Sequence, residues 1–444
     1  MANFSASQKH KMIKILVSGT VILIGFFASF TLPLRSETSE SEKRELAKFP
    51  EFSFSSLFDG SYFSGISTWF SDTVPLRDKL TDMNAKLQNF LGTAGVQAGF
   101  NEGKQGDDIP TPVAPATQPP AEQTTAAEQT TAQEASTLPF EKDVTGNTET
   151  LGSILVCGNA GYEYYNFVQS TADKYAAALN RAAALINGKA AVYDIVVPLS
   201  TDITLNSKIR NKLSVSDQKT AIDYLYGSMT QTVKTVNIFD TLKSHRDEYI
   251  YFRTDHHWTA LGAYYAYRDF CTASKITPLE LQSFTLRSFE GLLGSFYNDS
   301  GKRSELAATP DRVDTYAPPC ENVMTVTDTS GKSYQMPLIY DETNANPAYK
   351  YSAFLSGDNP LAVIENKNST NSDSCIVVKE SFGNCFVPFL VAHYKYVYVV
   401  DYRYYTQSLS SIVSESAAKD IIFINNISMT RSATLVDKLT AFIG

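Results

Sequence analysis

The stretch Ser374–Leu390, "SCIVVKESFGNCFVPFL", decides the fold. Cys375 to Val378 form a short apolar run of the kind that a strand buried on both faces of a parallel sheet requires. Lys379 to Asn384 break that run as a tight turn, and the residues that follow read as a helix. Strand, turn and helix in this order predict a βα unit whose turn lies at the carboxyl edge of the sheet. Ser381 in such a turn is exposed beside helix N-terminal amides that can stabilise a developing oxyanion. Gly383 lets a ligand approach the backbone there. Asn384 offers an amide donor to the same oxyanion, and serves equally well as a turn residue. The plainer reading of Ser381 is a helix N-cap.

Outward from this unit the same rhythm continues. Downstream come "YKYVYVVDYRYY", "SLSSIVSESAAKD", "IIFINNI" and a last helix near "ATLVDKLTAF". Upstream, "SILVCGN" and "AAVYDIVVPL" read as buried strands around the helix "ADKYAAALNRAAALIN", followed by a helix at "SDQKTAIDYLYGSM", a strand "VKTVNIF" and a short apolar strand "YIYF" of the same sheet. This alternation predicts an α/β fold with a mostly parallel sheet flanked by helices. Residues 286–360 are instead β-rich and punctuated by Gly, Asn and Asp, which predicts an insertion or an antiparallel extension.

The N-terminal third has a different texture. Residues 15–34, "ILVSGTVILIGFFASFTLPL", contain no charge and have the length of a membrane-crossing helix. Lys9, Lys11 and Lys14 precede them, and Glu37, Glu40 and Glu42 follow, so the charge asymmetry predicts residues 1–14 as a cytoplasmic tail. A cleaved signal peptide is the competing reading, but no clear small-residue cleavage site ends the run. Residues 35–104 read as a juxtamembrane helical region, and 105–138, rich in Pro, Thr, Ala and Gln, as a flexible linker. The α/β domain is then 139–444, outside the cell and anchored by a single pass.

A second motif stands between Tyr251 and Tyr267, "YFRTDHHWTALGAYYAY". Asp255 sits where a helix would begin, so its carboxylate can cap backbone N–H groups or orient an imidazole. A histidine held through Nδ1 by a carboxylate keeps Nε2 free as a general base, which gives His257 a role and leaves His256 pointing elsewhere on the turn. Because ligand sites in parallel sheets form outside the carboxyl ends of the strands, Asp255, His257 and Ser381 can converge on one crevice. Asp401 and Arg403 follow another strand to the same edge, where they bind substrate or form a local ion pair. Gly294, Ser295 and Tyr297 are candidate border residues. Trp258 is a packing residue or a sugar platform, and His393 a crevice residue or a core histidine.

Composition narrows the classes of function. With 444 residues and 43% hydrophobic side chains, the chain can bury a sizeable core. A net charge of −9 argues against nucleic acid as a partner. The five cysteines show no CxxC spacing and therefore no metal framework. A metal-dependent phosphoesterase site would need further spaced Asp and His ligands, and the other histidines, His10, His245 and His393, do not supply them. Trp258 stands where an Asp-His-His-Cys lipid transferase has its cysteine.

Taken together, "TDHHWTALGAYYAY", "KESFGNCFVPFL" and "DYRYY", with "EKRELAKFPEF" and "DTVPLRDKL" nearer the membrane, resemble the DHHW family of bacterial extracytoplasmic proteins. That family is similar to the alginate O-acetyltransferase-type branch of SGNH hydrolases, in which an Asp-x-His pair precedes the serine. The resemblance implies an SGNH-hydrolase-like fold, with Ser381 as nucleophile, His257 as base and Asp255 as the orienting carboxylate. Gly383, Asn384, Arg403, Trp258 and His256 become oxyanion or substrate-binding candidates. The family's Gly-Asp-Ser block stands here as Lys379-Glu380-Ser381, and no Gly-x-Asn-Asp block is visible. The implied activity is transfer or removal of acetyl groups on a cell-surface polysaccharide, through an acetyl-serine and without a cofactor. A membrane-bound acyltransferase would supply the acetyl groups. The alternative is a non-catalytic cell-envelope protein that binds glycan or assists assembly.

Overall fold

The computed structural model describes residues 154–444 continuously, together with 106–110, 148–151 and scattered positions before residue 74. The predicted membrane segment, 15–34, lies outside the described residues. Among the described residues no helix is long and apolar enough to cross a membrane. The chain divides into two units, 1–96 and 97–444. In the first, Trp69 is buried and packs edge-on against Phe49 at 4.8 Å.

The second unit is built on one eight-stranded sheet. Its strands in chain order are β1 (Ala191–Val197), β2 (Val233–Thr235), β3 (Asn322–Thr327), β4 (Ser333–Met336), β5 (Leu361–Asn366), β6 (Ser374–Lys379), β7 (Tyr396–Asp401) and β8 (Asp420–Asn426). In space they run β4-β3-β5-β7-β6-β8-β1-β2. The five from β7 to β2 are parallel, while β5, β3 and β4 add an antiparallel edge. The α/β reading of the sequence thus holds as a large mixed sheet flanked by helices.

Consecutive residues of β1 show that both faces are covered. Tyr193 meets Phe270 of the helix Ala260–Ser274, whereas the Tyr175 hydroxyl of the helix Gln169–Ile186 donates to Asp194 at 2.6 Å. Neighbouring strand residues point to opposite faces, so each helix covers one side. Strand β6 is buried along its whole length for the same reason.

Strand order locates the crevice. After β6 the chain passes to β7 on one side and then to β8 on the other, so the winding direction reverses between β6 and β8. Followed from β6 to β8 and then from β1 to β2, the five parallel strands fall in the order 2-1-3-4-5, a doubly wound arrangement entered part-way along the chain. Such a reversal parts the connections above the strand ends and leaves a crevice there. Ser381 lies two residues beyond β6, at that point.

Three expectations about local structure are corrected. "SILVCGN" is not in the main sheet. Ile154–Cys157 and Ala160–Glu163 form a hairpin closed by Gly158-Asn159, which with Thr148–Leu151 makes a separate antiparallel sheet. A two-residue turn can only return the chain antiparallel. "YIYF" is not a sheet strand either. Its bonding groups close on the chain just ahead: Tyr251 bridges Trp258, the Phe252 amide donates to the His257 carbonyl at 3.2 Å, and the Thr259 amide donates to that of Ile250 at 3.0 Å. The next helix starts at Ala260 with Thr259 as its cap, not at Asp255, whose carboxylate is engaged elsewhere.

Two other segments acquire definite places. Of the expected linker, Gly106–Pro110 is docked: the Asp107 amide donates to the Phe167 carbonyl, and its carboxylate accepts from the Gln169 amide, each at 2.9 Å. A carboxylate at a helix start is favourably placed for the orphan amides and the helix dipole. In the inserted stretch, Thr285–Leu292 pairs with Asp311–Ala317 as a separate hairpin, β3 and β4 extend the main sheet, and Pro347–Ala353 forms a 3-10 turn over the carboxyl edge.

Candidate active site

Asp255, His257 and Ser381 meet at the switch point. His257 Nδ1 lies 2.6 Å from Asp255 Oδ1, and His257 Nε2 lies 2.8 Å from Ser381 Oγ. Burial opposes ionisation of Asp255, but the adjoining His257 and His256, with hydrogen bonds from His257 and the Ser295 amide, hold its carboxyl well below the usual range. An ionised carboxylate only accepts, so Nδ1 carries the proton and the Ser381 hydroxyl donates to Nε2. Burial and then the neighbouring His256 charge lower the His257 imidazole from 6.5 to about 4, against the pull of Asp255. At neutral pH it is therefore an unprotonated base.

The loop carrying Asp255 is fixed from outside its own neighbourhood. Buried Asp311, at the start of the inserted hairpin's second strand, accepts from the Arg253 and Thr254 amides, the Thr254 hydroxyl and the Tyr249 hydroxyl. On the opposite side, the Ser295 amide donates to Asp255 Oδ2 at 2.9 Å. Gly294 permits that approach, since a Cβ there would stand 2.1 Å from the same oxygen. The Ser295 hydroxyl lies 2.6 Å from His256 Nδ1 and accepts from the His256 amide. Ser295 thereby joins Asp255 and His256 of the loop.

The turn after β6 is held just as closely. The carboxylate of Glu380 accepts from the Phe382 amide at 3.2 Å and from the Asn426 amide of β8 at 2.9 Å, spanning the switch point. The amide following Ser381, a natural oxyanion donor, is therefore engaged by a carboxylate. Burial raises the Glu380 pKa. Gly383 packs on β6, where a Cβ would stand 2.6 Å from Lys379 Cβ.

The remaining candidates fall into distinct positions. His256 is one-third exposed at its side chain and lies 3.8 Å, ring to ring, from His257. Trp258 is fully buried and donates from Nε1 to the Phe382 carbonyl at 2.8 Å, so it offers no open face to a sugar. Asn384 Nδ2 donates to Asp358 Oδ1 at 2.8 Å. Arg403 holds Asp401 through two nitrogens and Asp358 through Nη2 at 2.8 Å, the local ion-pair arrangement. His393 Nε2 lies 2.6 Å from the Tyr267 hydroxyl, in the packing behind the sheet edge.

Sequence reasoning missed Tyr351, Asp311, Asp358 and Glu380 as site residues. Only Glu380, adjacent to Ser381, carried a local signal. The donor atoms of Asp255, His256 and His257 lie within 4.8 Å of one another, a spacing that suits a metal ion. Asp255 Oδ1 and both ring nitrogens of His257 are already hydrogen-bonded, however, so these atoms fit a proton relay better than a ligand set. Cys271, Cys320, Cys375 and Cys385 are free thiols.

Comparison with known proteins adds a family. A family model described as DHHW protein matches residues 42–116 and 126–400. The solved structure of a DHHW family protein from Eubacterium siraeum is 24% identical, covers 66% of this chain and 96% of its own, and superposes with a TM-score of 0.61. Bacillus cereus PatB1, solved with a sulfonyl adduct, is 20% identical over 66% of this chain and 99% of its own, with a TM-score of 0.55. The O-acetyltransferase domain of Pseudomonas putida AlgJ is 11% identical over 64% of this chain and 96% of its own, at a TM-score of 0.36. No curated protein matches the chain.

Proposed function

The chain belongs to the DHHW family, and from that premise we propose that it is a serine-dependent O-acetyltransferase or acetylesterase acting on a cell-surface polysaccharide. One observation carries the reading: His257, held through Nδ1 by Asp255, has Nε2 2.8 Å from the hydroxyl of Ser381, 124 residues away in the chain. A hydroxyl, an unprotonated imidazole and a buried carboxylate in line are the parts of an activated nucleophile.

Ser381 Oγ attacks the acetyl carbonyl as its proton passes to His257 Nε2, and Asp255 stabilises the imidazolium. The tetrahedral intermediate collapses when His257 returns that proton to the departing alcohol, leaving acetyl-serine. A sugar hydroxyl or water then attacks the acyl carbon and gives its proton to His257, which returns it to Ser381 Oγ as the bond from Oγ to the acyl carbon breaks. No cofactor enters this sequence. The resemblance noted in the sequence supports acetyl as the group moved and a cell-envelope glycan as acceptor. The charge pattern around residues 15–34 supports a single-pass anchor, with the α/β domain, 139–444, outside the membrane. A membrane-bound acyltransferase is the proposed acetyl source.

Glu380 favours a second reading, since it engages the Phe382 amide that an oxyanion would use. A non-catalytic glycan-binding or assembly protein could keep the fold with that amide blocked. The test is turnover of a model acetyl ester by the full chain and by Ser381→Ala. The enzyme reading requires turnover that the substitution abolishes. Absence of turnover from either protein while both bind glycan supports the second reading.

A further inference from the structure

The inserted segment supplies a residue that touches the base and the nucleophile's turn together. Tyr351, in the 3-10 turn Pro347–Ala353, stacks its ring on the imidazole of His257, with centroids 3.9 Å apart and planes 9° from parallel. Its hydroxyl donates to the carbonyl of Ser381 at 2.9 Å and lies 3.5 Å from Cys385 Sγ. The side chain is buried, which raises its pKa well above the ordinary value and keeps it a donor. Nothing about the acyl-transfer chemistry requires a tyrosine at this place. Its contacts are with groups whose mutual placement the chemistry does require.

We propose that Tyr351 is a positioning residue that sets the Ser381 turn against the face of His257, so that the inserted segment completes the site. This rests on the proposed serine mechanism. The fold explains the need. His257 comes from a loop whose strand-like pairing is with itself and which is otherwise held by Asp311, by Ser295 and by the bond from Trp258 Nε1 to the Phe382 carbonyl, while Ser381 comes from a turn on the central sheet, so no strand pairing fixes one against the other. A planar ring on the imidazole restricts its tilt and shields it from water. A hydrogen bond to the Ser381 carbonyl fixes the peptide from which Oγ projects. The same segment grips the turn a second time, because Asp358 accepts from Lys379 Nζ at 2.9 Å and from Asn384 Nδ2 at 2.8 Å, on either side of Ser381. Leu355, Ser356 and Gly357, immediately before Asp358, all have positive φ of 53° to 93°. Two non-glycine residues in that region cost conformational energy, which the contacts made by Asp358 must offset.

Labelling of the full chain by a small aryl sulfonyl fluoride tests this without an acetyl donor or sugar acceptor. The Oγ–S bond forms, fluoride leaves, and the Ser381 proton passes through His257 to water. Tyr351→Phe keeps the stacked ring and loses the hydrogen bond, and it should label about tenfold more slowly at an unchanged pH midpoint. Tyr351→Leu also uncovers His257. It should label more slowly again, with the acid midpoint moved up from near 4 towards the ordinary histidine value. If the folded variants label at the wild-type rate and midpoint, whatever their thermal stability, the inference is overturned and Tyr351 is packing alone. If Tyr351→Leu does not fold, the rate for Tyr351→Phe decides. A wild-type chain that is not labelled at Ser381 overturns the serine mechanism itself, and the inference falls with it.

Discussion

Lys379 and Asp401, at the carboxyl ends of adjacent parallel strands, form an ion pair at 2.8 Å with side chains 1% and 0% exposed. Asp358 adds a second carboxylate to the same ammonium and Arg403 closes the cluster, so every charge has a partner. Lys379→Met would leave buried Asp401, and the more exposed Asp358, with Arg403 as their one cation in the cluster. Breaking a buried pair from one side costs roughly 3–5 kcal/mol. Denaturant unfolding should show a loss of this size, reduced when Asp401→Asn is added to Lys379→Met. A loss below about 1 kcal/mol would mean that the cluster behaves as a surface pair.

The His257 titration sets the acid limit of activity. A base lowered to about 4 is unprotonated above that pH, so ester turnover should appear as pH rises through about 4 and then level off. His256 is the second-largest cause of the lowering, after burial. His256→Gln removes that charge, and the acid limb should move to higher pH. An unchanged limb would show that the charge of His256 does not reach His257.

Gly294 and Asp255 are coupled by space alone. Gly294→Ala would press a methyl group onto Asp255 Oδ2, displacing the carboxylate and with it the tautomer of His257. Turnover should fall about a hundredfold or more, with little change in far-ultraviolet circular dichroism. Asp255→Asn should cost about ten-thousand-fold if the carboxylate acts by fixing the tautomer. Near wild-type turnover from either variant would contradict the role given to Asp255.

Asp194 provides a pH-dependent stability term away from the site. Burial raises its carboxyl from 3.8 to about 7, against the hydrogen bond from Tyr175, and its Oδ2 has no partner among the described residues. Between those values the folded chain holds a proton that the unfolded chain has released. Its contribution is therefore complete below about pH 4 and declines as pH rises towards 7. Asp194→Asn removes the titration. Relative to that variant, the wild type should lose stability across this window, with a limiting slope of about 1.4 kcal/mol per pH unit. Parallel stability profiles would show that Asp194 titrates alike in both states.

The sequence carried the chemistry of the site further than its support. Ser381 was legible because a buried strand, a polar turn and a helix leave a local signature, and His257 because an Asp-x-His spacing lets a carboxylate reach Nδ1 in a single turn. Tyr351 and Asp311 reach the site from 30 and about 57 residues away, through contacts that neither periodicity nor spacing encodes. The hairpin at Gly158-Asn159 did carry a local signal in its two-residue turn, but the apolar run before it reads equally as a parallel strand. "YIYF" misled for a related reason: its pattern is that of a strand, while its partners are its own continuation. In Trp258 the ambiguity was chemical, since an aromatic ring suits a core and a sugar alike, and only burial separates the two.

The account stands most directly on the nucleophile. The measurement is peptide-level mass spectrometry of the full chain after brief acid quenching of its reaction with a model acetyl ester, run beside Ser381→Ala and His257→Ala. The account requires an acetyl group on Ser381 in the wild type and none at that position in either variant. Acetyl on another residue, or an adduct that persists when His257 is replaced, would contradict it.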